Sequence, residues 1–218
     1  MIKSRAKVVR ARDRDTEHRI LEAAHAVFLR KGTAGARMQE IAAEAGVNQA
    51  LLHYYFRSKA RLAEAVFQRV AVRLFPSVVE VLGSDASIED KVRQVVAIEL
   101  DLMSRSPFLP AYVISEINQH PQRVQQFVKA VSGVEIDGVV PRVKDILDRQ
   151  LKARARAGTM RPIPVDQFVV NLLSLCLFPF AARPMLTLAL RLGEGGFERF
   201  IEQRKRELPV FFLNALRP

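Results

Sequence analysis

Tryptophan is absent from this chain of 218 residues, cysteine occurs once, and aromatic residues make up only 7% of the sequence. The single cysteine, Cys176, excludes an internal disulfide framework and fits a reducing compartment. None of the four histidines has a Cys or His partner at a spacing typical of metal ligands. We therefore expect no disulfide scaffold, no metal site and no cofactor.

A secretory leader and a long apolar run are also lacking. The N-terminal stretch MIKSRAKVVRARDRD is basic and contains no apolar segment. The longest apolar run, 168–182, is interrupted by Asn171, Ser174 and Pro179 and falls short of the ~20 residues that a membrane helix needs. The sequence thus predicts a cytoplasmic protein with no membrane partner.

Motifs of the common catalytic sites are missing as well. The sequence has no G-x-S-x-G, no G-x-x-x-x-G-K-[ST] and no H-E-x-x-H. The segment GEGG at 193–196 lacks the preceding strand that a dinucleotide-binding loop requires, so we interpret it as a turn between helices. We expect no enzymatic activity, and a helical-bundle enzyme remains an alternative without a catalytic constellation to support it.

Positive charge, in contrast, is abundant and unevenly distributed. The chain carries a net charge of +11, and residues 1–75 hold 15 Lys/Arg against 7 Asp/Glu, a net +8. A concentrated basic segment favours a polyanionic partner, either nucleic acid or an anionic membrane surface. A basic tail that is simply solvated explains the charge equally well, and a basic membrane-surface protein stays an alternative.

Apolar residues recur with helical periodicity throughout, and no alternating strand pattern is present, so the fold class is all-α. Residues 1–14 are predicted to form a flexible basic arm, and Pro76 is predicted to mark a domain boundary. Pro209 is expected to kink or split the last helix. The helices are predicted at about 16–31, 37–45, 49–55, 59–75, 87–104, 110–119, 139–157, 165–180 and 197–216. One more helix is predicted to start at 121.

The short segment GVNQALLHYYF, 46–56, carries three polar-tipped rings, which a core helix would not contain. At 100° per residue, Leu52 and Phe56 share one face that packs inward. A second face then points outward, and it consists of Gln49, Ala50, His53 and Tyr54. A helix, a glycine-containing turn and a second helix with such a face are typical of a helix-turn-helix; a small subdomain with a capped surface helix is the alternative.

The outward face carries the chemistry of DNA recognition. An amide such as Gln49 pairs with adenine, Ala50 permits close approach, and Leu51 suits a thymine methyl group. Contacts with phosphate or sugar are predicted for His53, Tyr54, Tyr55 and Lys59, and Asn48 is predicted to cap the helix. The basic arm adds Arg10, Arg12 and Arg14 as sequence-independent contacts.

The segment 37–67, RMQEIAAEAGVNQALLHYYFRSKARLAEAVF, resembles the DNA-binding domain of TetR-type (TetR/AcrR) transcriptional repressors. The pairs 41–42, 46–47 and 58–59 and the aromatic triplet 54–56 match the family pattern in order and spacing. Three positions depart from it. Arg37, a candidate phosphate contact, stands where a capping Thr is common, and Leu51 and His53 replace a Thr and a Tyr of the recognition helix.

The resemblance implies a three-helix DNA-binding domain at 15–75 and a helical ligand-binding and dimerisation domain at 76–218. It implies a homodimeric, ligand-responsive repressor that binds a palindromic operator in double-stranded DNA. The last two long helices would pair with those of a second copy, and an apolar or amphipathic small molecule would release the DNA.

Large apolar side chains with a few polar ones predict the site of that small-molecule effector. Glu116 and Asn171 are polar positions in apolar surroundings, and each needs a partner if it is buried. That partner is either the effector or, as the commoner case, a neighbouring side chain or the second copy. The apolar members of the predicted site are Met103, Phe108, Tyr112, Phe127, Phe168 and Phe178.

Overall fold

The computed structural model describes residues 2–107, 110, 114, 118 and 136–218, with side chains described except at 2–12, 67, 70–75 and 136–137. Within these ranges the regular elements are nine helices and no strand, which confirms the all-α class. The chain divides into two compact units, Met1–Val70 and Ala71–Pro218.

The first unit contains α1 (Ile2–Gly35), α2 (Met38–Glu44), α3 (Gln49–Phe56) and the first part of α4 (Lys59–Gly83). α1 is interrupted at Gly32, whose φ of 67° and ψ of 169° are not helical, one residue after the predicted end of the first helix. Residues 2–14, for which a flexible arm was predicted, belong to α1. Neither Gly nor Pro occurs between positions 2 and 31, so nothing in the sequence ends the helix there.

α4 continues through Pro76, so the prediction that a helix ends at this proline was wrong. A proline inside a helix removes one backbone hydrogen bond and does not by itself stop the chain from continuing. Beyond it, Val78 and Leu82 are buried in the core of the second unit, and this burial favours the longer helix. The two units divide between Val70 and Ala71, a few residues before the predicted boundary.

An apolar core holds the four helices of the first unit together. α1 contributes one stripe to this core, α2 and α3 each add two buried residues, and α4 adds three. The main members are Ile20, Ala24, Val27, Phe28, Ile41, Ala42, Leu52, Phe56, Leu62 and Val66. Because α3 contributes Leu52 and Phe56 to this core, its orientation about its own axis is fixed.

The second unit contains the rest of α4 and five further helices: α5 (Ile88–Arg105), α6 (Ile136–Arg156), α7 (Val165–Ala181), α8 (Arg183–Ala189) and α9 (Gly196–Asn214). α5 packs on α7 and α9, and α6 packs on α7. α9 runs through Pro209 without splitting. The helices predicted from 110 and from 121 fall largely outside the described residues, and α8 was not predicted.

α7 is apolar on two sides. Its inner stripe repeats every four residues, and the Phe168 ring packs edge-on to Phe212 with 5.3 Å between ring centroids. On the outer side, Val170, Ser174 and Phe178 also repeat every four residues and are exposed. A helix buried on one stripe and apolar on the opposite one has more apolar surface than this unit alone covers.

Candidate DNA interface and effector-binding residues

The short helix α3 presents the face that the sequence predicted. Leu52 and Phe56 are buried, whereas Gln49, Ala50 and His53 are exposed and Tyr54 is 77% exposed. The Tyr54 ring packs edge-on to the Tyr55 ring at 5.4 Å between centroids. An amide, a methyl group and two polar-tipped rings therefore lie together on one exposed helix surface.

The start of α3 is fixed by a side-chain cap and a tight turn. Asn48 Oδ1 accepts a hydrogen bond of 2.7 Å from the Leu51 backbone N–H, which satisfies one of the donors at the helix start. Gly46 adopts a φ of 64°, a left-handed conformation that favours glycine. Leu51 is exposed beside Ala50. The cap and the turn thus place 49–51, the predicted base-reading residues, at the exposed N-terminal end of α3.

A cation from α1 holds the turn between α2 and α3. Arg19 Nη2 donates to the Ala45 carbonyl oxygen at 3.0 Å and lies 3.4 Å from that of Gly46. A guanidinium at the C-terminal end of a helix satisfies carbonyl groups that have no partner within the helix. Arg19 therefore positions the turn, a role that the sequence analysis missed because it depends on residues far apart in the chain.

At the C-terminal end of α3, two predicted DNA contacts interact within the protein. The half-buried Tyr55 donates its hydroxyl to Asp13 Oδ1 at 3.0 Å, which links α3 to α1. His53 Nδ1 lies 3.2 Å from the carbonyl oxygen of Arg57, and the tautomer protonated at Nδ1 donates to it. That tautomer leaves Nε2 as a hydrogen-bond acceptor.

Lys59, predicted to bind phosphate, points its ammonium into the protein. Its Nζ donates to the carbonyl oxygens of Ala34 and Ala36 at 3.0 and 3.1 Å and ties the start of α4 to the turn after α1. Arg37 is exposed at the N-cap of α2 and makes no side-chain capping bond, in agreement with the departure noted there. Arg14 is exposed too, and the side chains of Arg10 and Arg12 lie outside the described residues.

Ion pairs neutralise several carboxylates of the first unit. Arg30 pairs with Glu44 at 2.9 Å, and Lys31 pairs with Glu40 at 2.6 Å. Arg69 binds Glu22, which faces it from α1. These exposed pairs contribute little stability, at most about 1 kcal/mol each, but they remove negative charge that would repel a polyanion.

The four predicted effector-binding residues that the structure describes lie in two different places. Met103 and Phe168 are buried in the core of the second unit. Phe108, Tyr112, Glu116 and Phe127 lie outside the described residues. Residue type alone did not separate core from pocket, because a large apolar side chain suits both.

The remaining two predicted residues, Asn171 and Phe178, line a crevice of about 470 Å³ at the surface of α7 and α9. The other residues that line this crevice were not predicted from the sequence. Phe178 is 54% exposed, and Phe211 of α9 is 63% exposed. The half-buried Arg204 donates from Nε and Nη2 to the Leu175 carbonyl oxygen at 3.2 and 2.9 Å. The crevice therefore combines exposed aromatic rings with a guanidinium held in place.

Two buried ionisable side chains of α5 were also missed. Lys91 is fully buried, and its Nζ donates to the Leu82 carbonyl oxygen at 2.8 Å and to Gln150 Oε1 at 2.7 Å. Burial lowers the pKa of Lys91 and raises the pKa of Glu99 from 4.5 to about 7. In the sequence, both are charged residues at positions of the otherwise apolar stripe of α5, and this interruption is the signal that could have identified them.

The part of the chain that the structure describes shows neither a metal-binding cluster nor a single helix that could span a membrane. No group of three or more His, Cys, Asp or Glu side chains there is placed to hold a metal ion. No single helix there has the length and hydropathy to cross a membrane, and only the pair Val165–Ala181 and Arg183–Ala189, bent by 73°, passes that test when taken together. Most of the inner stripe of α7 lies in the core.

Residues 20–66 match the family model described as bacterial regulatory proteins, tetR family. The HTH-type transcriptional repressor NicS of Pseudomonas putida is 29% identical over 144 residues, 64% of this chain and 68% of NicS. The HTH-type transcriptional repressor SCO4008 of Streptomyces coelicolor is 45% identical over 69 residues, 31% of this chain and 36% of that protein. The family match thus coincides with α1–α4 of the first unit.

The whole fold has counterparts among solved structures. The crystal structure of a TetR/AcrR-family transcriptional regulator from Thermobifida fusca superposes with a TM-score of 0.60 at 16% identity. The superposition covers 94% of this chain and 100% of that one. At this identity the comparison shows a shared fold, and it extends that fold through the second unit.

Proposed function

Since the chain belongs to the TetR family of bacterial transcriptional regulators, we propose that it is a homodimeric repressor. It binds a palindromic operator in double-stranded DNA, acts in the cytoplasm and responds to a small molecule. The observation that carries this proposal is the exposed face of α3, on which Gln49, Ala50, His53 and Tyr54 lie opposite two buried anchors. A helix held in this way by a helix-turn-helix enters the major groove with its N-terminal residues.

Base contacts fall to Gln49, Ala50 and Leu51 at the start of α3, where the Asn48 cap exposes them. Tyr54, one turn further along, donates to phosphate or packs on sugar. His53, whose Nδ1–H is directed at the Arg57 carbonyl oxygen, packs on sugar, and both side chains orient the helix in the groove. Tyr55 and Lys59 act first as positioning residues through Asp13 and the carbonyl groups after α1. Arg14 and Arg37 add exposed positive charge for the phosphate backbone.

A second copy of the chain covers the outer side of α7 and the adjacent surface of α9. Val170 and Phe178 on α7 and Val210 and Phe211 on α9 are each more than half exposed, although all four are apolar. An exposed apolar surface of this kind marks an interaction site. A palindromic operator requires two symmetric DNA-binding heads. An isologous dimer through this surface supplies both heads and covers the exposed apolar side chains.

The effector is an apolar or amphipathic small molecule, and it binds in the second unit. The residues proposed for its site are Met103, Phe108, Tyr112, Glu116, Phe127 and Phe168, while Asn171 and Phe178 fall on the dimer surface. The effector favours a spacing of the two recognition helices that no longer fits successive major grooves. The free energy of DNA binding can weaken by no more than the difference between the effector's binding free energies for the two states.

Band shifts with the full chain and DNA from upstream of its own gene test the proposal. We expect one retarded complex with the stoichiometry of a dimer, which excess unlabelled specific DNA removes and unrelated DNA does not. A basic membrane-surface protein would instead sediment with anionic vesicles and show no preference among DNA sequences. That result would replace the proposed function with the membrane alternative.

Tyr54→Ala tests the outward face of α3. We expect DNA binding to weaken by about 1–3 kcal/mol, the range for removing one well-placed side chain from a DNA interface. The melting temperature should stay unchanged, because the side chain is 77% exposed. Tyr54→Phe serves as the matched control, since it keeps the ring and removes only the hydroxyl. If Tyr54→Ala binds DNA as tightly as the parent, the DNA contacts another face of α3.

Replacing Arg10, Arg12 and Arg14 together by Ala tests the basic N-terminal segment. We expect affinity for all DNA sequences to fall and the slope of log K against log salt to decrease by about 0.9 for each phosphate that is no longer neutralised. The matched control replaces Arg142, Arg149 and Arg156, which are exposed on α6. Equal losses in both triple variants would mean that net charge, rather than this segment, sets the affinity.

A further inference from the structure

The residue that follows α3 has an unusual backbone conformation. Arg57 has a φ of 53° and a ψ of −38°, and the Ser58 backbone N–H donates to the carbonyl oxygen of Phe56. The three residues therefore form a γ-turn of the rare, strained form, whose central residue has a φ of about +75° and a ψ of about −65°. Glycine adopts a positive φ without a steric penalty, whereas the β-carbon of an arginine makes it unfavourable.

Hydrogen bonds on both sides of Arg57 hold this turn. The Arg57 N–H donates to the His53 carbonyl oxygen at 2.8 Å, and His53 Nδ1 lies 3.2 Å from the Arg57 carbonyl oxygen. On the other side, Ser58 Oγ accepts from the Arg61 N–H at 3.2 Å and caps α4. These contacts use only the backbone of Arg57, so the turn itself gives no reason for an arginine side chain at its centre.

The guanidinium of Arg57 is exposed, and within the described residues it makes neither a hydrogen bond nor an ion pair. The two neighbouring cations are engaged. The Lys59 ammonium binds two backbone carbonyl oxygens, and Arg61 lies 3.9 Å from Glu64. At the junction of α3 and α4, Arg57 is thus the cation whose charge is available to a partner outside the chain.

The position of Arg57 relates it to the exposed face of α3. It follows Tyr54 by three positions and His53 by four, and residues with these spacings are neighbours on a helix surface. Strained backbone conformations concentrate at functional sites, where a side chain is needed in one place. Arginines that flank a recognition helix fix its register by binding phosphate oxygens.

Building on the proposed function, we propose that Arg57 binds a DNA phosphate beside the groove that α3 enters, and that the strained turn serves to place this side chain. Arg57 takes the role predicted for Lys59, whose ammonium is turned into the protein. The contact is electrostatic, so it orients α3 and carries no base specificity.

Arg57→Gly separates DNA binding from stability, because it removes the cation and suits the positive φ. We expect affinity to fall about tenfold for operator and unrelated DNA alike, the loss of one charged hydrogen bond. The slope of log K against log salt should decrease by about 0.9 for each half-site. The melting temperature should not fall. An unchanged DNA affinity would overturn the proposal.

Arg191→Gly is the matched control. Arg191 has a φ of 50°, is exposed and lies in the second unit, so this change removes the same charge from the same kind of backbone. It should leave DNA affinity and its salt dependence as in the parent. An equal loss in both glycine variants would mean that net charge, rather than the position of Arg57, accounts for the effect.

Arg57→Gln and Arg57→Lys separate the cation from the turn, because both keep a side chain at the strained position. The glutamine variant should lose as much affinity as Arg57→Gly, and the lysine variant should retain most of the parent's affinity, since lysine binds phosphate as a point charge. If Arg57→Gln binds DNA like the parent while Arg57→Gly binds weakly, the flexibility of the turn explains the loss and the phosphate contact is wrong.

Failure of this inference and failure of the proposed function give different results. A parent protein that shows no preference for its specific DNA contradicts the proposed function, whatever the Arg57 variants do. Specific binding that all the Arg57 variants leave at full strength contradicts this inference alone. A loss confined to specific DNA would assign Arg57 to a base rather than to a phosphate and would also overturn the proposal.

Discussion

Replacing Phe178 and Phe211 together by Asp is expected to prevent the proposed homodimer from forming at micromolar concentration and to leave a monomer. Both rings are more than half exposed, so the folded monomer tolerates the change, while two buried charges on each side oppose association. Operator affinity should then fall by about 10²–10⁴-fold, because the second DNA-binding head no longer benefits from tethering to the first. Light scattering measures the mass and band shifts measure the affinity.

Val140→Asp is the matched control for this variant. Val140 is a comparably exposed apolar residue, 48% exposed on α6, and lies outside the proposed dimer surface. It should leave both mass and DNA affinity unchanged. A Phe178 and Phe211 double variant that remains a dimer would move the interface to another surface of the second unit.

Glu99→Gln is expected to change the pH dependence of stability. The raised pKa of Glu99 means that the folded protein binds more protons than the unfolded chain between pH 4.5 and about 7. The stabilising effect of that proton is fully present below pH 4.5 and is lost as the pH rises through about 7. The parent should therefore lose about 3 kcal/mol relative to the variant across this window.

Urea unfolding of both proteins at pH 4.5 and pH 8, at one protein concentration, measures this difference. Glu194→Gln, which removes an exposed carboxylate from the turn before α9, controls for the loss of one negative charge. We expect the free energy of unfolding to fall with pH less steeply in Glu99→Gln than in either the parent or the control. Parallel pH profiles for parent and Glu99→Gln would mean that the Glu99 carboxyl is solvated in the folded state.

The recognition helix followed from the sequence because its determinants are local. Periodicity fixed the inward face of Leu52 and Phe56, and the Asn48 cap depends on residues three positions apart. The Ser87 cap of α5, which accepts from the Asp90 N–H at 3.1 Å, is predicted in the same way. Features of this kind need no knowledge of how distant segments pack.

Features that depend on distant segments were missed. Lys59 bonds to carbonyl groups after α1, so its ammonium is not where a motif comparison places it. Lys91 depends on Gln150, 59 positions away, which no local pattern reveals. α8 has no buried residue, so it lacks the apolar stripe by which helices are recognised in a sequence.

Hydroxyl-radical footprinting of the full chain on DNA from upstream of its own gene tests whether two α3 helices read a two-fold symmetric site. We expect two protected half-sites related by a two-fold axis, with centres separated by about one helical turn or a multiple of it. The protection should weaken at both half-sites together in Tyr54→Ala. A single unsymmetric protected segment, or symmetric protection that Tyr54→Ala leaves at full strength, would contradict it.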